Sequence, residues 1–237
     1  MHLSEPLATR VDQLSKRIAE ACRNAGRGAE SVTLLAVSKT RSAAEIGRVH
    51  SAGVDRFGEN YTDEAADKQD ALAQHALEWH FIGPIQSNKT RTIAERFDWV
   101  HSADRRKIIT RLGRQRPNDR PPLNVLLQVN IDREPQKAGC EPEQIESLAA
   151  DVEQFPSLRL RGLMAIPSAD NSPARTKSAF AEMRSLFKSL QAGHSGVDTL
   201  SMGMSADLET AIAEGATMVR IGTALFGRAG MQVRITA

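Results

Sequence analysis

In the stretch Val32-Thr33-Leu34-Leu35-Ala36-Val37-Ser38-Lys39 a continuous apolar, β-rich run ends on a cation. Continuous rather than alternating apolarity is the pattern of a strand buried on both faces, as in a parallel sheet. Ser42 then reads as a helix N-cap, with Glu45 three residues later completing a capping box. Lys39 therefore lies in a strand-to-helix turn, at the carboxyl end of a strand, where α/β folds collect their functional groups. Lysine is costly there unless its ammonium has an outlet. The plain alternative is a stem lying along the strand end with its head in water.

The same unit recurs along the chain. Strands are predicted over residues 32–38, 54–58, 79–83, 98–101, 123–131, 158–166, 197–201 and 217–222, and nearly every one is followed by a helical pattern. A further helix over 5–25, with Leu7, Val11, Leu14, Ile18 and Ala21 at helical spacing, precedes the first strand. On the helix after Ser172-Pro173, Phe180, Met183, Phe187 and Leu190 mark a buried stripe. Eight such units in 237 residues predict an α/β fold: a single (β/α)8 TIM-type barrel over 1–237, with an extra N-terminal helix and no C-terminal β domain. A doubly wound open sheet is the structural rival, and the count of eight favours the barrel.

Composition narrows the function classes. Net charge is +2, from 31 basic and 29 acidic residues, which favours no polyanion. Aromatics make up 4%, with one tyrosine, so stacking platforms for nucleic acid are not expected. Cys22 and Cys140 form no CxxC pair, which points to a reducing compartment and away from a structural zinc site. No signal-peptide pattern or bilayer-length apolar run is present. The expectation is a soluble cytoplasmic protein that binds neither membrane nor nucleic acid.

The predicted strand ends carry Lys39, Glu59-Asn60, His80 with Gly83, His101, Asn130, Met164, Ser201-Met202-Gly203-Met204-Ser205, and Arg220 with Gly222-Thr223. No cluster of three or four His, Asp and Glu residues occurs among them, so no catalytic metal is expected. Barrels often bind phosphate through the loops after strands seven and eight. Glycines there admit backbone amides to an anion, and the Ser205 and Thr223 hydroxyls can donate. The alternative makes Ser205 an N-cap and Gly222 a turn. A strand-end lysine together with a phosphate site suggests Schiff-base chemistry, and a cofactor with both aldehyde and phosphate is pyridoxal 5′-phosphate (PLP). Arg220 is then a candidate to face the pyridine nitrogen.

Six stretches match one known family: Leu35-Ala36-Val37-Ser38-Lys39-Thr40, Phe57-Gly58-Glu59-Asn60-Tyr61, Trp79-His80-Phe81-Ile82-Gly83-Pro84-Ile85-Gln86-Ser87-Asn88-Lys89, Arg161-Gly162-Leu163-Met164-Ala165-Ile166, Ser201-Met202-Gly203-Met204-Ser205-Ala206-Asp207, and Val219-Arg220-Ile221-Gly222-Thr223-Ala224-Leu225-Phe226-Gly227. With these the chain resembles the pyridoxal phosphate homeostasis proteins, the YggS/PROSC group, which are similar to the barrel domain of fold-type III enzymes such as alanine racemase. The resemblance implies that Lys39 is the Schiff-base lysine, that Ser205, Gly222 and Thr223 lie in phosphate-binding stretches, and that Arg220 faces the ring nitrogen. It makes Asn60 and Met204 pocket neighbours, and assigns no catalytic residue.

The family's role implies a protein that stores or delivers PLP within the cell, with transient contacts to apo PLP-dependent enzymes. Racemases of this type use a second acid/base, a tyrosine from a β domain of the partner subunit. Here Tyr61 is the one tyrosine, read as packing or a pocket wall, and a monomer is expected. Two alternatives stay open: a PLP-dependent enzyme acting on amino acids, and a cofactor-free Schiff-base aldolase acting on a phosphorylated sugar. Lys89 and Lys137 read as solvated loop lysines or, alternatively, as second cofactor contacts. The run Arg105-Arg106-Lys107 with Arg111 and Arg114 reads as an exposed helix face or a surface for an anionic partner.

Overall fold

A computed structural model describes residues 6–227. Eight parallel strands close into a barrel in sequence order. They are β1 (Thr33–Val37), β2 (Arg56–Glu59), β3 (Glu78–Phe81), β4 (Trp99–Ala103), β5 (Leu123–Gln128), β6 (Leu158–Met164), β7 (Thr199–Ser201) and β8 (Met218–Ile221). The ring is closed by β1 against β8, with Thr33 opposite Met218 and Ala36 opposite Ile221. The open-sheet rival is thereby set aside.

Helices α1 (Leu7–Asn24), α2 (Ala43–His50), α3 (Thr62–Ala71), α4 (Thr90–Arg96), α5 (Arg106–Gln115), α6 (Ile145–Glu153), α7 (Pro173–Gly193), α8 (Leu208–Ala213) and α9 (Thr223–Phe226) complete the chain order. The start expected for the first helix, residue 5, lies outside the described residues, and the helix ends at Asn24. The extra helix α1 buries Val11, Leu14, Ile18 and Ala21 and packs on α8, α9 and α2. Just after it, Arg27 donates to the carbonyls of Ile212 (2.9 Å) and Ala216 (2.8 Å). The segments behind β7 and β8 are thus braced from outside. The Ser42–Glu45 capping box forms as read, and the predicted stripe on α7 is buried.

Several boundaries move for local reasons. The fifth strand was expected to reach residue 131 but leaves the sheet at Gln128. The Val129 amide still donates to the Met164 carbonyl of β6 (2.8 Å), but Val129 also bridges Cys140 and the Asn130 amide donates to the Cys140 carbonyl (2.9 Å), so the chain folds back on its own loop. The seventh strand shortens to three residues because Val197 closes a turn onto the His194 carbonyl (3.1 Å). The third helix, expected to run to about residue 76, ends at Ala71. The helices expected from residues 87 and 142 each open with one 3-10 turn.

Alternation along the strands creates two interiors. Phe57, Val100, Val125, Leu127 and Leu163 face outward and join one large apolar cluster with the helices. Trp99, Leu126 and Met164 form a separate small cluster on the axis side, beside the buried polar residues His80, His101, Ser201 and Arg220.

Candidate functional site

Closure puts the sequence-predicted residues at the carboxyl ends of four consecutive strands. Ser205 and Met204 follow β7, Gly222 and Thr223 follow β8 with Arg220 upon it, Lys39 follows β1, and Asn60 follows β2. The β1 register sets Val37 against Gly58, and the Ser38 amide donates to the Gly58 carbonyl (2.9 Å). Lys39 and Asn60 thus leave the sheet side by side.

Lys39 is exposed, and its turn is held from behind. Lys68 on α3 donates to the Ser38 carbonyl (2.8 Å), to Glu59 Oε1 (2.7 Å) and to Glu64 Oε1 (2.5 Å). Ser38 Oγ also donates to Glu59 Oε1 (2.6 Å). Thr40, directly after Lys39, has φ 62, an unusual conformation for a β-branched residue. Its amide donates to Glu64 Oε1 (2.6 Å), which helps fix it there. Burial pushes the Glu59 carboxyl up from its ordinary value, against the bonds from Lys68 and Ser38. Glu59 was read as a strand-end residue; it is fully buried, beneath the turn. Lys68 was not singled out from sequence. Its i,i+4 spacing from Glu64 was visible, but its contacts with Ser38 and Glu59 require α3 to fold back over β1 and β2.

Asn60 is partly exposed, yet its Oδ1 is buried and has no hydrogen-bond partner among the described residues. Next to it, a Cβ on Gly83 would lie 2.4 Å from the Asn60 carbonyl oxygen; only glycine lets the β3 loop approach the β2 loop this closely.

After β7 the chain turns at Gly203, with φ +95 and no room for a Cβ, which would sit 2.5 Å from Ala211 Cβ. The Met204 amide donates to Asp207 Oδ1 (2.6 Å). Met204 is 39% exposed and Ile166, after β6, is 42% exposed. Ser205 does not cap α8, which begins three residues later at Leu208; its Oγ accepts from the Ala224 amide (3.4 Å). The N-cap alternative for Ser205 is therefore corrected: the hydroxyl joins loop seven to loop eight. Thr223 is exposed at the start of α9.

Arg220 is 4% exposed. Its Nη1 donates to Ser201 Oγ (2.8 Å) and its Nη2 to the Ala165 carbonyl (2.9 Å). Its backbone amide donates to the Gly203 carbonyl (3.0 Å), locking β8 to loop seven. Among the described residues no carboxylate lies within ion-pair distance of it. Burial lowers its pKa to about 10.

The other candidates separate from this group. His80 and His101, read as strand-end residues, are wholly buried in the lumen. Tyr61 is 59% exposed on the rim, so its reading as packing is corrected. Lys89 is paired with Asp63 (2.9 Å), and Lys137 with Glu134 (3.1 Å) and Asp132 (3.4 Å). In the basic run, Arg105 donates to the Ile85 carbonyl (2.9 Å), Arg106 pairs with Asp151 (3.3 Å), and Arg111 donates to Thr90 (3.0 Å), so much of it serves internal contacts. Cys22 and Cys140 are both free and buried. No described helix is long and apolar enough to cross a membrane.

The barrel matches the family model for the alanine racemase N-terminal domain over residues 10–229. A pyridoxal phosphate homeostasis protein from Pseudomonas aeruginosa is 58% identical over 221 residues, covering 93% of this chain and 95% of the relative. Its Escherichia coli counterpart is 49% identical over 224 residues, covering 93% and 96%. Among solved structures, PipY from Synechococcus elongatus with PLP bound superimposes with a TM-score of 0.82 at 37% identity, over 93% of this chain and all of that one (100%). An alanine racemase from E. faecalis shares the fold, with a TM-score of 0.71 at 16% identity, over 96% of this chain and 60% of the racemase. With its closed parallel barrel, and with close relatives along nearly its whole length, the chain belongs to the pyridoxal phosphate homeostasis proteins, within the alanine racemase N-terminal domain family.

Proposed function

We propose that the chain binds PLP at the carboxyl end of the barrel, linked covalently through Lys39, and serves cofactor homeostasis by storing or delivering PLP. The observation that carries this reading is Arg220. A buried guanidinium with no carboxylate partner is costly, and a pyridine nitrogen supplied by a ligand would accept one of its remaining N–H groups. The buried, unpartnered Asn60 Oδ1 fits the same view. So does the contact between loops seven and eight, where the Gly203 turn and the Ser205 and Thr223 hydroxyls offer donors to a phosphate. The relatives named above are PLP homeostasis proteins, and PipY holds PLP. When bound, the cofactor supplies an electrophilic aldehyde and a π-system that withdraws electrons. The chain's residues bind and orient it: Lys39 supplies the amine, the two loops hold the phosphate, and Arg220 keeps a cation by the ring. A permanently protonated arginine leaves the ring nitrogen unprotonated and weakens electron withdrawal, which suits holding better than turnover. The finer reading is of a cytoplasmic monomer that meets apo PLP-dependent enzymes transiently.

The test is the visible absorption spectrum of purified protein with added PLP, before and after borohydride, followed by peptide mapping. A visible band lost on reduction, with the pyridoxyl group on Lys39, is expected, together with transfer of PLP to an apo-enzyme and no amino-acid turnover. A protein that stays colourless with PLP overturns the reading.

A further inference from the structure

Arg220 does not end at Ser201. Ser201 Oγ lies 3.3 Å from His101 Nδ1, and His101 Nε2 lies 2.9 Å from His80 Nδ1. His80 Nε2 lies 2.9 Å from Glu78 Oε1, which also accepts from Arg56 Nε (3.1 Å). Ser201, His101 and His80 are each completely buried, whereas the Glu78 side chain is 37% exposed at the start of β3. The chain thus crosses the lumen from β8 and β7 to β4 and β3, and comes out at the amino end of the barrel.

Its direction follows from chemistry. Arginine can only donate, and an ionised carboxylate can only accept. Ser201 accepts from Arg220 and is free to donate to His101 Nδ1. His101 then carries its proton on Nε2 and donates to His80 Nδ1, and His80 donates from Nε2 to Glu78. With neutral imidazoles the reverse order would set the His80 Nε2 lone pair against the Glu78 carboxylate. One tautomer of each histidine satisfies every link. The wall of the lumen supports the geometry: His80 stacks on Trp99, with ring centroids 5.3 Å apart and planes 11° apart.

We propose that Ser201, His101, His80 and Glu78 form a positioning relay for Arg220, a one-way hydrogen-bonded chain that runs from the guanidinium to the amino end of the barrel and fixes the orientation in which it is offered to a bound pyridine ring. The inference rests on the PLP reading above and adds residues that do not touch the cofactor. Breaking the chain at His101 leaves Ser201 and His80 each with an unmet buried group, and frees Ser201 to turn its hydroxyl. The ring should then feel a misplaced cation, although neither histidine adjoins it.

The experiment titrates PLP into wild-type protein and into His101→Leu, His101→Gln, Ser201→Ala and Leu126→Ala, reading the position of the visible band, the dissociation constant and Tm. His101→Leu and Ser201→Ala are expected to shift the band and weaken binding about tenfold, the scale of one unsatisfied buried polar group. His101→Gln, which can accept at Oε1 and donate at Nε2, is expected to restore most of both. Leu126→Ala opens space in the same lumen, beside Trp99, but removes no hydrogen bond of the chain, so it should lower Tm and leave the band in place. Should His101→Leu fail to fold, Ser201→Ala, which removes one hydroxyl, decides by the same criteria. A wild-type band and affinity in the broken variants, or a Leu126→Ala shift equal to theirs, overturns the relay while leaving the PLP reading intact. Failure of wild-type protein to take up PLP overturns both.

Discussion

Outside the barrel wall, Phe57, Ile93, Phe97, Ile108 and Ile109 are fully buried among other apolar side chains. Inside it, His80, His101 and Ser201 are just as buried, yet each is hydrogen-bonded to another polar group. Each strand contributes alternate residues to the two regions, and the helices add Ile93, Ile108 and Ile109 to the outer one. Apolar burial on the outer face stabilises the fold by about 1.5–3 kcal/mol per large side chain. Polar burial on the inner face contributes little net stability, because each bond made replaces one to water. What the inner face gains is a single arrangement, since an incomplete network is costly. The contrast assigns stability to the outer layer and specificity to the lumen.

The largest expected effect tests the outer layer. Phe97→Ala removes a ring packed edge-on against Phe81, with centroids 5.3 Å apart. It should cost about 3–5 kcal/mol in urea unfolding, while the folded fraction binds PLP as wild type does. Weakened binding by the folded variant, at unchanged PLP stoichiometry, would break the division between the two regions.

Next comes the polar cluster beneath the Lys39 turn, which lies outside the lumen and so sharpens the comparison. Lys68→Met leaves the buried Glu59 carboxylate without its cation and should cost about 3–5 kcal/mol. Glu59→Gln combined with Lys68→Met should recover most of that loss. A double-mutant cycle measures the coupling; additive single effects would show that the cluster is not a paired unit.

The barrel was legible because eight short, mostly apolar runs recur, nearly every one followed by helical periodicity, and that count needs no tertiary knowledge. Lys39 and Arg220 were legible for a related reason, as charged residues attached to apolar strands. The lumen chain was not. Glu78 and His80 stand two apart and so share a face, but nothing local says that His101 meets His80, or that Ser201 reaches across to His101. Those contacts depend on barrel closure and stagger, which strand patterns do not encode. Lys68 was hidden for the same reason. It sits in a polar helix where lysine is ordinary, and its burial follows from the docking of that helix. The end of β5 was misread because Val129 and Ile131 continue the apolar pattern, although Val129 and Asn130 turn onto the Cys140 loop.

Histidine titration supplies the smallest effects, and in opposite directions for the two regions. Burial pushes His80 below its ordinary value and His101 well below it, with His80 and Arg220 adding to the effect on His101. Both are neutral in the folded protein, whereas an unfolded chain takes up protons near pH ~6.5. Their contribution is therefore full above that pH. It is lost as the pH falls from there toward the folded values, by up to about 1.4 kcal/mol per pH unit for each histidine. His194, after α7 and outside the lumen, behaves the other way. Hydrogen bonds to Glu153 (2.6 Å) and Glu146 (3.1 Å) on α6 raise its pKa, Glu153 most strongly and against some burial. Its stabilisation is full below pH ~6.5 and is lost as the pH rises through the folded value. With partners this exposed it should amount to less than about 1 kcal/mol. Urea unfolding across pH 5–9 should thus show a steep acid decline and a shallow alkaline one. His194→Gln should remove only the alkaline decline, and NMR titration should find His194 protonated at a pH where both lumen histidines are neutral. A lumen histidine that titrates with His194 would place water inside the barrel and remove the basis for a fixed tautomer chain.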